Sequence, residues 1–327
     1  MLRHTIKHTA PFTLFWAIVL LSWGCRKDVD EIRHYPNTQT ELSLFLKQVP
    51  DPSATTIFQF DGLNEDRVLE TPGGVRVFLT DVDQLFSSKD SPSTAVACST
   101  CPELKIVVTV ANTKGDILAR ELSTYSNDDM LLESGGMVHL QAFCGTTALQ
   151  LLQGRTVKVQ LPANDAKDGM FVYTSAYDNS GFDGWEASTQ AVFKADWLAA
   201  GGTGVNKGYE LILPKLGWSN CARPLSLTSV TPFCVKLEPG YTGLNTQAYL
   251  VFDNILVVAP LKFDDTSHSF CFPNVPAGYP VRIVSVAKLD TAYWLGAATT
   301  ETGTNSTLAL QPQQKEALDL LGYLRGL

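Results

Sequence analysis

The chain has 327 residues, 45% hydrophobic and 18% charged, with a net charge of −8. This composition excludes an intrinsically disordered chain, and the length leaves room for two domains, because single cores stop growing at about 250–300 residues. An acidic balance without a cluster of Lys and Arg excludes an electrostatic route to nucleic acid or to an anionic membrane surface, which leaves neutral or cationic partners, sugars and divalent ions among them.

Read from the N-terminus, Arg3 and Lys7, with His4 and His8, precede an apolar run from Phe12 to Trp23, then Gly24 and Cys25. A positive head, about 7–15 apolar residues and a small residue make a bacterial export signal. The run is shorter than the about 20 residues that span a bilayer, and Arg26-Lys27-Asp28 ends it. Gly24-Cys25 at its end predicts a lipoprotein signal: residues 1–24 are removed, the Cys25 thiol is acylated, and the lipid anchors the chain to the membrane. Ser22 and Trp23 depart from the usual lipobox, which has Leu three residues and a small side chain two residues before the cysteine; Leu21 lies one step early. Loss of Arg3 and Lys7 takes the net charge from −8 to −10.

Residues 25–48 are expected to be a tether, with a short helix over Glu41–Gln48. Short runs rich in Val, Ile, Phe and Tyr follow, separated by turn residues. They predict an N-terminal β-rich domain over 49–224, with strands at Val75–Thr80, Leu104–Ala111, Met137–Phe143, Thr156–Leu161, Met170–Ser175 and Tyr209–Leu213 and weaker helical stretches at Asp81–Phe86 and Gln190–Ala199. A second rhythm over 225–327 predicts a small β-sandwich with strands at Phe233–Leu237, Ala248–Phe252, Ile255–Val258, Phe270–Phe272, Val281–Ala287 and Ala292–Leu295. The chain is expected to end in a helix over Gln313–Arg325, opened by Pro312 and carrying a leucine stripe that caps the sandwich. The fold class is therefore mainly β: tandem β-sandwich domains after a lipoprotein signal peptide, with a C-terminal helix.

Six further cysteines, an even number in an exported chain, predict disulfides with 15 pairings open. Cys234 with Cys271 is preferred, as both lie in one small domain. Cys98-Ser-Thr-Cys101 lies in a Ser/Thr/Pro loop and reads as disulfide or buried thiol ahead of half a zinc site or a redox pair. No catalytic residue is assigned. His34 lies in the tether, His139 in a strand and His268 in a polar turn, and no GxSxG elbow is present. Asp178, Asn179 and Asp183 offer hard oxygens to calcium, although their spacing is not that of an EF-hand and a hairpin connection explains them equally. Trp185 and Trp197 read as core ahead of sugar-stacking platforms. Asp81, Asp83, Asp264 and Asp265 read as turn and cap acids. Asp290-Thr-Ala292 resembles a short O-glycosylation acceptor, and Asn305-Ser-Thr307 has the N-glycosylation pattern. No cofactor is implied.

Three stretches carry a family resemblance. They are Thr124-Tyr-Ser with Leu131-Leu-Glu-Ser-Gly-Gly-Met137 and Leu149–Pro162; Leu216-Gly-Trp-Ser-Asn-Cys-Ala-Arg223; and Phe270-Cys-Phe-Pro-Asn-Val-Pro-Ala-Gly278. Together they resemble uncharacterised envelope lipoproteins of the Bacteroidota, in which a β-rich domain precedes a sandwich similar to the carboxypeptidase regulatory-like domain. The Gly73-Gly74 turn into a strand is similar to the start of ZU5-type β-domains. Ser219 and Ala222 stand where those relatives have isoleucine and aspartate. Cys25-Arg-Lys-Asp-Val-Asp-Glu31 resembles the stretch that sends some such lipoproteins to the outer face of the outer membrane. The resemblance implies envelope location and fold, and no activity. The expected function is an outer-membrane-anchored, non-enzymatic binding or structural module with a glycan or protein partner. The alternatives are an envelope hydrolase acting on glycan or peptide, and an accessory subunit of an envelope machine.

Overall fold

Alternation with period two builds the first sandwich. In β6 (Leu104–Ala111) and β7 (Leu132–Cys144), which pair antiparallel, Leu104, Ile106 and Val108 enter one core with Val138, Leu140 and Ala142. β1 (Thr55–Phe60) flanks β6. Beyond β7 come β13 (Gly217–Pro224), β10 (Phe171–Asp178) and the first part of β11 (Gly181–Leu198). The far end of β7 pairs β8 (Thr147–Leu151), which carries β4 (Phe86–Ser88) and β5 (Ser91–Ala95). β11 is 18 residues long, and its second part leads into β12 (Val205–Leu213), β9 (Val157–Pro162), β3 (Arg76–Leu79) and β2 (Arg67–Glu70). The sheet curls over on itself, so Val77, Val159 and Leu211 share the core of Ile106, Val108 and Leu140. The computed structural model describes residues 37–178, 181–199, 202, 204–225, 229–303 and 307–327, with the backbone alone for Tyr177, Asp178 and Gly181.

The second sheet has the order β20-β14-β17-β16-β15-β18-β19-β21. Its strands are β14 (Val230–Lys236), β15 (Thr246–Phe252), β16 (Val258–Asp264), β17 (Ser269–Pro276), β18 (Pro280–Leu289), β19 (Ala292–Glu301), β20 (Thr307–Ala309) and β21 (Gln313–Lys315). Phe233, Val235, Phe270 and Phe272 pack against Leu250, Phe252, Val281 and Ile283 inside its fold. Residues of opposite parity, Tyr249, Val251, Val284 and Val286, enter a third core. There they meet Leu42, Phe45 and Leu46 of α1 (Gln39–Leu46), Ile117 and Leu118 of α2 (Lys114–Ala119), and Leu320, Leu321 and Leu324 of α3 (Ala317–Arg325). Met137, Tyr173, Trp185 and Ala222 of the first sheet join them. This middle layer ties both sheets into one compact unit. The large sheet ends at Pro224 and the second begins at Val230.

Several expectations are corrected. Gln190–Ala199 is not helical; through Leu198 it lies in β11, where Val192 to Leu198 pair with β12, a non-local partner that outweighs local Ala content. Asp81–Phe86 makes only a 3₁₀ turn at Val82–Gln84, entered through Asp81 at φ 49°, and then runs into β4. Ile255 lies in a turn, and its strand begins at Val258. Gln313–Lys315 is a strand on β19, so the last helix starts at Ala317, after an extended Glu316, and packs in the middle core. The folded unit also begins ahead of residue 49, because α1 buries Leu42, Phe45 and Leu46 and the Thr38 hydroxyl donates to the Lys288 carbonyl at 2.6 Å.

Candidate functional site

The residues singled out by the sequence fall in separate places. Cys25, Asn179 and the Asp178 side chain lie outside the described residues, as do Asn305 and Ser306. Asp183 is exposed, and among the described residues no group of three or more His, Cys, Asp or Glu could hold a metal ion. Trp185 and Trp197 are buried, so neither ring is a platform for a ligand. Cys234 and Cys271 face each other across β14 and β17 and are bonded. Cys101 is bonded to Cys144 at the end of β7, so Cys98-Ser-Thr-Cys101 is neither a redox couple nor half a zinc site. Cys98 and Cys221 are buried thiols. Burial, with the Asp83 charge beside it, pushes Cys98 up to about 11, and burial pushes Cys221 higher still. Neither supplies a thiolate near neutral pH.

The acids singled out serve turns. Asp83 accepts from the Ser99 amide and hydroxyl at 2.8 and 2.9 Å, and Asp264 accepts from the Thr266 amide and the Ser267 hydroxyl at 2.8 and 2.9 Å. These hydrogen bonds hold both carboxyls below the usual range. His268 and Asp290 take left-handed turn conformations, at φ 49° and 52°.

A cleft lies on the outer side of the first sandwich. Alternation sends His139, Gln141 and Phe143 of β7 away from the core that takes Val138, Leu140 and Ala142. Phe143 pairs with Ala148, which brings Gln150 of β8 alongside, and Lys215 and Gly217 also line the cleft. The cleft encloses about 580 Å³, with Lys89 and Gln153 also on its walls and no Asp or Glu among its lining residues. His139 stacks on Trp218, its register partner, with ring centres 4.9 Å apart, and the Arg120 guanidinium lies 5.9 Å from the Trp218 ring. Burial first, and the Arg120 charge second, push His139 down to about 4. At neutral pH its imidazole is therefore an uncharged donor and acceptor. Three glutamine amides, a neutral imidazole and a phenylalanine ring beside two lysines suit a hydroxyl-rich ligand that is neutral or anionic. The local sign is thus opposite to the acidic net charge, from which neutral or cationic partners were expected.

A buried ionic group lies on the other half of β7. Glu133, 4% exposed, faces Arg223 across β7 and β13 and bonds to Arg223 at 2.7 Å and to Lys167. Burial raises its carboxyl, but hydrogen bonds and charge from Lys167 and Arg223 outweigh burial and hold it below its ordinary value of 4.5. The Lys167 amide donates to the Tyr209 hydroxyl at 2.6 Å, and the Tyr209 ring fills the space over Gly135, where an added Cβ would sit 2.5 Å from it. The Ser134 hydroxyl donates to Asn220 Oδ1 at 2.6 Å and accepts from the Gly136 amide at 3.0 Å. The Leu131–Met137 and Leu216–Arg223 stretches are thus largely neighbouring strands that hold each other. Ala222 is buried in the middle core, an apolar setting that matches alanine and has no place for an unpaired aspartate.

Sequence reasoning did not find Glu133, Lys167, Gln141 or Gln150. A lone acid inside the apolar run Leu131-Leu-Glu-Ser was the available signal for Glu133. No family model, no curated protein and no solved structure matches the chain.

Proposed function

We propose that the protein is a lipid-anchored binding module of the cell envelope, held at the outer membrane through Cys25 and presenting the β7–β8 cleft to a neutral or acidic glycan. The cleft carries the binding half of this reading. It stands on a paired sheet whose inner face is a packed core, so its amides and rings are held in place by elements that bury them from behind. The basic head, apolar run and Gly24-Cys25 carry the anchoring half, and the likeness of Cys25–Glu31 to an outward export stretch supports an orientation facing the medium.

Labelled palmitate tests the anchor. The full chain expressed in a Gram-negative host is expected to incorporate label and to sediment with membranes. Cys25→Ala is expected to lose the label and remain as unprocessed precursor. Label retained on Cys25→Ala, or absent from the wild type, would contradict a lipid on this residue.

A further inference from the structure

We infer that β1 is an interaction edge that pairs with β1 of a second copy, joining two molecules through one continuous antiparallel sheet. Among the described residues, five strands end the two sheets or their branch: β1, β2, β5, β20 and β21. Exposed edges invite pairing, and folded proteins blunt them by shortness, charge or proline. β20 and β21 have three residues each, and β21 ends in Lys315. β2 has four and is bounded by Arg67 and Glu70. β5 contains Pro92. β1 has none of these devices: Thr55-Thr-Ile-Phe-Gln-Phe60 is six residues long, uncharged and free of Pro and Gly. That is the composition of a segment that readily adds strands.

β1 pairs with β6 on one side, and on its other side no backbone partner is found among the described residues. Its burial alternates. Phe58 and Phe60 pack on the rim of the first core only partly buried, and Ile57 on the opposite face is 57% exposed. A neighbouring strand would cover both sets.

A second copy fits because the strand is complementary to itself. A two-fold axis perpendicular to the sheet at Ile57 keeps inner residues on the inner face, as pairing requires. It sets Ile57 against Ile57, Thr56 against Phe58, and Thr55 against Gln59. Ala54 then meets Phe60 and Ser53 meets Asp61, so acids of the two copies do not face each other. Directly opposed side chains on such a pair have Cβ atoms about 4.5–5.5 Å apart.

Sedimentation and site-directed cross-linking of the full chain in mild detergent test this. The wild type is expected to sediment as a dimer. Ile57→Lys, which sets like charges across the axis at an exposed position, is expected to be monomeric with an unchanged far-ultraviolet circular dichroism spectrum. A short bifunctional thiol cross-linker is expected to join Ile57→Cys chains. It is expected to leave Gln59→Cys chains no more joined than the wild type, since those positions lie about 13 Å apart along the strands. A monomeric wild type, a dimer that survives Ile57→Lys, or equal cross-linking at 57 and 59 would each overturn the proposal. So would a wild type that pairs only with an extended segment of another protein.

Discussion

Trp185→Ala is expected to lower the unfolding free energy by about 3–5 kcal/mol while leaving one cooperative transition. Trp185 is fully buried in the middle core. Its indole N–H donates to the Ser123 carbonyl at 2.6 Å, and its ring meets Phe182 edge-on at 5.3 Å. Its backbone is held on both sides, its amide donating to the Tyr125 carbonyl and its carbonyl accepting from the Asn127 amide. Truncation leaves a cavity the size of an indole, which the surroundings refill only in part, and strips the Ser123 carbonyl of a partner. The consequence reaches both sheets because α1, α2, α3 and the back of the second sheet share that core. Urea unfolding followed by far-ultraviolet circular dichroism and by intrinsic fluorescence checks this. Coincident curves, shifted together, are expected in the variant. Two separated transitions would mean that the sandwiches are independent domains.

Replacing both cations around Glu133, as Lys167→Met with Arg223→Met, is expected to cost about 3–5 kcal/mol at neutral pH, because an unpaired carboxylate is then left buried. The sign of the pH dependence is specific. In the wild type the folded carboxyl is held below its ordinary value, so its stabilisation is present above that value and lost as pH falls through the lower folded one. In the double variant only burial remains, the carboxyl is raised, and protonation relieves the penalty. The gap between the two proteins is therefore expected to narrow as pH falls from 7 towards about 4. Adding Glu133→Leu to the double variant is expected to recover most of the stability at neutral pH. A gap that is constant with pH would show that lost packing, not the stranded charge, is responsible.

Local pattern carried the fold a long way. β6 occupies Leu104–Ala111, the bounds that alternation predicts, and Cys234 and Cys271 were legible as a pair because they share a small domain. Failures came where a distant partner decides. The stretch after Gln190 has alanines at helical spacing, yet pairing with β12 pulls it into a sheet. The cleft was less legible than the fold. Nothing in the sequence around Gln141 or Gln150 marks a site, and only the register of β7 with β8 makes them neighbours. His139 and Trp218 are 79 positions apart in the chain and meet only because β7 pairs with β13. Glu133 was hidden for a related reason: a lone acid in an apolar run has no meaning until Arg223 is set opposite it.

The central claim, that the β7–β8 cleft binds glycan, is tested most directly by retention of the full chain on immobilised neutral and acidic oligosaccharides, beside the double variant Gln141→Ala, Gln150→Ala. Each lost amide removes hydrogen bonding worth about 0.5–1.5 kcal/mol. The wild type is therefore expected to be retained on at least one oligosaccharide class, and the variant to bind it about tenfold or more weakly with an unchanged melting temperature. No retention of the wild type, or retention that the double variant leaves unchanged, would contradict the account.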